Sequence, residues 1–389
     1  MIARRFGLLA GMVAAMALLL SACGGDDPTA TPTPPPPPAA GGFQAEWDAL
    51  IVAAQAEGEL QTFICCGLGR AVEQDVLPAF EAKFGIKVIN STGSSSQQVV
   101  KVKAERDAGK FDIDVWIGGL ATVNSDLIPE GIVDPIKPLI FHPDVLDASK
   151  WYRGFVPFMG VEDGAYIIAL SANASLAPLG YNTNLLPDPT VIQSYWDLLK
   201  PEYKGKIVMQ DPRFPGMANG LPFYLTNPDL GEEFLRKLIT ETDMTFLEAR
   251  PLAEAMALDK YQICIFCGRD LTTIQREGAA VQSNWPHALK EGATIGVGGE
   301  TMYVVNNAPH PNAQKLFINW LLTPEGALLA QKASGADSLR IDIPNDGVDE
   351  GDIRLEGEDY YWAEVNPGHA EQIAPATALM RDIMAEAGL

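Results

Sequence analysis

Residues 60–119 run as strand, helix, strand, helix, strand, at a spacing that leaves few folds open. Residues 60–64 are short, apolar and β-prone, and Cys65-Cys66-Gly67-Leu68-Gly69 breaks them. Residues 72–84 carry Val76, Leu77, Phe80 and Phe84 at helical spacing and stop at Gly85, a residue suited to a left-handed helix end. A second strand over 86–89 leads into the serine-rich loop 91–96, which opens a helix through Val99, Val102 and Ala104. The third strand, 113–117, is closed by Gly118-Gly119. This alternation predicts a parallel α/β sheet, and such sheets bind ligands beyond the carboxyl ends of their strands. The candidate residues on that edge are therefore Cys65, Cys66, Gly67, Ser94, Ser95, Ser96, Gly118 and Gly119. Hydroxyls and N–H groups ahead of a helix can hold a carboxylate or phosphate oxygen, although ordinary N-capping needs only one serine.

A second α/β unit begins near Ala172. Residues 196–199 end a helix, and a strand over 206–210 leads to Asp211-Pro212-Arg213 and on to Asn219. An amphipathic helix over 232–240 follows. A strand over 261–267 then delivers Gly268-Arg269-Asp270, and 281–285 is strand-like through Asn284 and Trp285. Asp211, Arg213, Asn219, Arg269, Asp270, Asn284 and Trp285 are the candidates of this unit. Arg269 beside Asp270 reads as a bidentate clamp for an anion or as a surface ion pair. Trp285, Trp116 and Tyr224 could stack on a flat cation, or belong to the core. Late in the chain, 311–322 is a helix whose apolar face holds Leu316, Phe317, Trp320 and Leu321, and Thr323-Pro324-Glu325-Gly326 opens another running to Ala333.

The first residues have a different purpose. Arg4-Arg5, an apolar run over 6–20, and Leu20-Ser21-Ala22-Cys23 read as a lipoprotein export signal over 1–22, because the run is shorter than the roughly 20 residues a spanning helix needs. Cys23 is then the lipidation site, and 23–42, with its run of prolines over 34–38, is an extended tether outside the fold. Of 389 residues 47% are hydrophobic, enough for two cores, and the net charge of −22 excludes nucleic acid as a partner. Cys65, Cys66, Cys264 and Cys267 form an even set in an exported chain, so disulfides are expected, in any of three pairings. A four-thiolate zinc site or a redox pair at Cys264-Ile265-Phe266-Cys267 are the other readings. His142, His287, His310 and His369 lack metal-ligand spacing, and no Walker, nucleophile-elbow or paired-carboxylate motif stands out.

Several motifs resemble the extracellular solute-binding proteins of ABC importers, in the ferric-ion, thiamine and polyamine branch. They are Tyr181-Asn182-Thr183-Asn184-Leu185-Leu186-Pro187, Trp196-Asp197-Leu198-Leu199, Pro201-Glu202-Tyr203-Lys204-Gly205-Lys206-Ile207 with Asp211-Pro212, and Ala308-Pro309-His310-Pro311-Asn312-Ala313-Gln314-Lys315 through Leu321-Leu322-Thr323-Pro324-Glu325-Gly326. The resemblance spans about 55–335. It implies a type II periplasmic-binding fold: two α/β lobes, each a mainly parallel sheet flanked by helices, hinged around a small ligand. Lobe 1 would take 43–168 and 297–344, and lobe 2 would take 169–296 and 345–389. It further implies a lipid-anchored, extracytoplasmic, monomeric, non-enzymatic importer subunit without a cofactor. An ABC permease would be its partner, and a thiamine-like cation, a polyamine, a phosphonate or ferric iron its ligand. The ferric branch uses adjacent tyrosines where this chain has Ser283-Asn284-Trp285, and the Tyr360-Tyr361 pair lies in the tail beside Trp362, where it reads as an aromatic cluster. A thiol-disulfide oxidoreductase built on Cys264 and Cys267, and a metal carrier using all four cysteines, are the rival classes.

Overall fold

The computed structural model describes residues 42–65, 72–159, 164–213, 220–297, 300–348, 350–362, 364–365 and 369–389. The export signal, Cys23, the tether up to Gly41, and the candidates Cys66, Gly67 and Asn219 lie outside the described residues, as do the side chains of Ser96 and Arg269.

The chain enters through the helix Gly42–Glu57, which buries Leu50 and Ala54. Its last residue caps another helix. The Glu57 carboxylate accepts N–H bonds from Asn312, at 3.0 and 3.1 Å, and from Ala313, at 2.8 Å. These amides open the helix Pro311–Leu321, so a carboxylate sits at its positive end. Strands β1 (Glu59–Cys65), β2 (Lys87–Gly93) and β3 (Val115–Gly118) follow, with β1 parallel to both neighbours. Between β1 and β2, the helix Leu77–Phe84 ends where Gly85 turns left-handed (φ 69°) and returns its N–H to Glu81 O. Phe80 from that helix is fully buried, with ring centroids 5.1 Å from Phe317 and 5.3 Å from Trp320. Then come β4 (Val133–Asp134), β5 (Phe158–Met159) and β6 (Ile167–Ala169).

The chain crosses over through β7 (Ser171–Ser175) and builds a second sheet from β8 (Leu179–Asn182), β9 (Ile207–Gln210), β10 (Thr245–Leu247), β11 (Ile263–Ile265) and β12 (Val281–Gln282). It returns through β13 (Ala293–Gly296) and closes the first sheet with β14 (Thr301–Val305). Among the described residues the first sheet runs β2-β1-β3-β14-β6-β5, with β4 beside β14, and the second runs β10-β9-β11-β8-β12. The sheets are mixed rather than mainly parallel: β14 is antiparallel to β3 and β6, and β8 is antiparallel to β11 and β12. Their parallel parts come from strand–helix–strand crossovers, whereas β8 and β14 each follow a strand that carries the chain between sheets.

A third sheet joins the two crossing strands to β15 (Asp337–Ser338) and β16 (Tyr360–Trp362), in the order β15-β7-β13-β16. It is where the chain passes from the first sheet to the second and back. One core underlies the first and third sheets, and separate clusters underlie the second. β16 serves both: Tyr360 and Trp362 are buried in the first core, while Tyr361 packs on Phe223 of the second at 5.5 Å. The tail thereby holds a packed aromatic group. The helix His369–Glu386 then lays Ala376, Met380, Ile383 and Met384 on the second core.

Candidate functional site

On the first sheet, the strand edge read from sequence is largely consumed by structure. β2 runs through Ser91-Thr92-Gly93, so the loop before the next helix shrinks to Ser94, which caps the helix Ser95–Asp107 by accepting the Gln97 N–H at 3.3 Å. Gly118 O accepts the Thr301 hydroxyl at 2.6 Å, and Gly119 leads into a short turn. Cys65, at the end of β1, is buried and disulfide-bonded.

On the second sheet, Asp211 spends its charge locally. Arg213 Nε reaches its two oxygens at 2.9 and 3.0 Å, Arg213 Nη2 adds 2.6 Å, and the Arg213 N–H donates at 2.9 Å. These hydrogen bonds hold the carboxyl below its ordinary value. Strand β12 ends at Gln282, which leaves Asn284 and Trp285 in the following turn. The three rings weighed as stacking surfaces are interior: Trp116 and Tyr224 pack within their cores, and Trp285 lies edge-on to Tyr181 at 5.4 Å. None presents a face to a ligand in this structure, because each fills the space under its own sheet.

The cavity lies elsewhere. A space of about 560 Å³ opens between the crossing strand β7 and the turn that follows β11. Asn173, Ala174 and Ser175 line it from β7, and Phe266, Cys267 and Gly268 from the turn. Thr272, Thr273 and Arg276 contribute from the helix Gly268–Arg276, Ser283 and Asn284 from the next turn, and Ser334 and Asp352 from the far side. Its wall mixes polar side chains with apolar ground from Ala174, Pro178, Phe266 and Ala333, the mixture expected of a small-solute site. Of the ligand candidates read from sequence, Asn284 is the one described in this lining, joined by Cys267 of the redox and zinc readings, while Asp270 occupies the first turn of the helix behind it. Thr272 and Arg276 sit four apart on one helix, which was a readable signal. The alternation in Ser171-Ala172-Asn173-Ala174-Ser175 was another, weakened by having no large apolar residue.

The wall is braced. Cys264 and Cys267 are joined by a disulfide across the turn, with Cys264 fully buried and Cys267 nearly so. Phe266 between them is left-handed (φ 53°), as is Gly268 (φ 74°), so β11 stops at Ile265 instead of running to Cys267. Gly180 on β8 lets the sulfurs approach: a β-carbon there would lie 2.8 Å from Cys267 Sγ and 2.9 Å from Cys264 Sγ. With Cys65, Cys264 and Cys267 all in disulfides, the thiolates needed by the four-cysteine zinc site and the metal carrier are missing from this structure. Among the described residues no three or more His, Cys, Asp or Glu are grouped to hold a metal ion, and no helix is long and apolar enough to cross a membrane.

Comparison with known proteins agrees with this fold. A family model described as bacterial extracellular solute-binding protein matches residues 76–336. An uncharacterised protein of Haemophilus influenzae is 24% identical over 303 residues, covering 75% of this chain and 81% of that protein. The ferric iron-binding protein A of Mannheimia haemolytica in an open conformation superposes with a TM-score of 0.65 at 15% identity, over 84% of this chain and 98% of that one. The periplasmic binding protein AfuA of Actinobacillus pleuropneumoniae, with exogenous fructose-6-phosphate bound, gives 0.61 at 17% identity, over 85% and 99%.

Proposed function

Because the chain belongs to the bacterial extracellular solute-binding protein family, we propose that it traps a small solute in the cleft between its lobes and hands it, in the closed form, to the permease of an ABC importer. The cavity of about 560 Å³ against the hinge strand β7 carries this reading. A ligand there touches the second lobe and the hinge at once, so its binding free energy can be spent on moving one lobe against the other. The lobes take 43–168 with 297–344, and 169–296 with 345–389. Asn284 and the β7 residues Asn173 and Ser175 make the first contacts, and the chain performs no turnover.

An organic solute is favoured over ferric iron. The stretch Ser283-Asn284-Trp285 offers no phenolate, and burial pushes the Tyr224 and Tyr303 hydroxyls well above their ordinary range, which keeps them protonated. The Cys264–Cys267 disulfide is a brace for the cavity wall rather than a redox centre, since its sulfurs are packed against Gly180. Cys23 anchors the mature protein by lipid, with the proline-rich tether as spacer.

Thermal melts against a panel of small nutrients test the reading. A true ligand at a hundred times its Kd adds about 2.7 kcal/mol to stability. A panel of cations, polyamines, phosphonates, phosphorylated sugars and ferric iron that leaves the midpoint unmoved throughout would end it.

A further inference from the structure

The cavity against β7 holds side chains that the fold leaves idle, and they are all neutral. Among the described residues, the Asn173 and Asn284 carboxamides and the Thr272 hydroxyl line it without a hydrogen-bond partner of their own. They come from three separate elements, the crossing strand β7, the helix Gly268–Arg276 and the turn after β12, so no single turn or cap accounts for the set. Asn284 is also closely covered. A β-carbon on Gly351 would overlap its Nδ2, so the lack of a side chain there is what lets the segment carrying Asp352 come against it.

Two lining serines show which half of a hydroxyl the wall still offers. Ser175 donates to Ala177 O at 2.7 Å, and Ser283 donates to Gln275 Oε1 at 2.9 Å. The Ser283 N–H donates to the same oxygen at 2.9 Å, which fixes the Gln275 amide in that orientation. With their hydrogens spent, both serines meet a guest as acceptors, while each carboxamide adds one acceptor and N–H donors. The matching guest donates to several oxygens and accepts from a few N–H groups, as a row of hydroxyls does. Charge narrows the class further. Asp352 and Arg276 are the carboxylate and the cation of the described lining, they offset each other, and neither stands free. A polycation would meet one carboxylate with an arginine in the same wall, and a bare oxyanion would face serine lone pairs. Phe266 supplies the apolar ground, half-buried and edge-on to Tyr224 at 5.8 Å. Its left-handed backbone, φ 53°, is a costly state for a bulky residue, and such outliers collect at ligand sites. The negative face of an aromatic ring suits the C–H side of a sugar.

We propose that the captured solute is polyhydroxylated, a sugar, a sugar alcohol or a derivative of one, whose hydroxyls bond to Asn173, Thr272 and Asn284 while its C–H face rests on Phe266. This rests on the reading that the cavity against β7 is where a small solute is captured. A phosphorylated sugar carries the same hydroxyls and binds through them, so recognition follows the sugar and not the phosphate. Contacts between neutral groups also make the affinity insensitive to salt, despite a chain of net charge −22.

The test uses the purified full-length protein in detergent, with glucose, fructose and ribose, their phosphorylated counterparts, sorbitol and myo-inositol as probes, and inorganic phosphate and spermidine as controls. Each is added at about 1 mM, far below the level at which sugars stabilise proteins by exclusion from the surface. A neutral sugar or sugar alcohol should raise the melting temperature, equally at low and high sodium chloride. The phosphorylated counterpart of a responding sugar should act too, whereas inorganic phosphate and spermidine should not. Asn284→Ala and Thr272→Val should each weaken binding of the responding sugar about tenfold or more. Thr272→Val should melt with the parent when no sugar is present, because the hydroxyl it removes bonds to nothing. No response to any of the sugars and sugar alcohols, or sugar affinities unchanged in both variants, would overturn the proposal. Stabilisation by spermidine, inorganic phosphate or ferric iron with every sugar silent would refute the polyhydroxylated class and leave solute capture standing, whereas silence of sugars and nutrient panel alike would remove solute capture itself.

Discussion

Glu364 shows how one side chain can tie stability to pH. It follows β16, accepts the Val297 N–H at 3.2 Å with Oε1, and buries Oε2 without a partner. Burial raises its carboxyl from 4.5 to about 7. The sign follows from the protonated form being the one the fold prefers. Its contribution is intact below the unfolded value near 4.5 and is lost as pH rises to about 7 and beyond. Glu364→Gln should therefore be more stable than the parent at pH 8, by about 2 kcal/mol after allowing for partial exposure, with the gap narrowing toward pH 5.5. Urea melts at the two pH values decide it; an equal gap at both would show that Glu364 ionises freely. Charges elsewhere were visible in the sequence, but their use was not. Asp211 and Arg213 are two residues apart and bond to each other, and only coordinates reveal that so short a loop can fold back on itself.

At the scale of elements, the turn after β11 is where geometry is tightest. A β-carbon on Gly180 would meet Gln282 O at 2.7 Å as well as both disulfide sulfurs. Gly180→Ala should lose about 1–3 kcal/mol, since neither backbone nor disulfide can give way. Replacing both Cys264 and Cys267 by serine should cost about 2 kcal/mol, the loop-closure value for so short a ring. Unchanged denaturation midpoints in that double variant would mean the bond braces nothing. The same scale shows what the sequence made legible. Helices over 311–321 and 324–334 were readable because a 3.6-residue stripe and a glycine or proline boundary coincide in each. The hinge strands were not: β7 is built of serine, alanine and asparagine, and β16 is three aromatic residues in a tail, so neither shows a strand period long enough to recognise. The cavity was half hidden for the same reason, because β7 supplies one of its walls.

For the whole molecule, the proposed attachment and the proposed closure can be tested separately. Cys23→Ser should release the protein from membranes without detergent and leave ligand-induced stabilisation unchanged, which fractionation and melting curves on the same preparation can check. Ligand should also shrink the radius of gyration in small-angle scattering, by bringing the two lobes together.

The pairing of β7 with β13 limits how that movement can proceed. Two spans zipped side by side bend as a ribbon does, easily across their width and hardly at all along it. Tyr361 rooted in one core, between neighbours rooted in the other, further resists sliding or swivelling. The molecule should swing like a door on a long pin, about one axis, so that whichever solute fits must be gripped by jaws whose alignment was settled before it arrived.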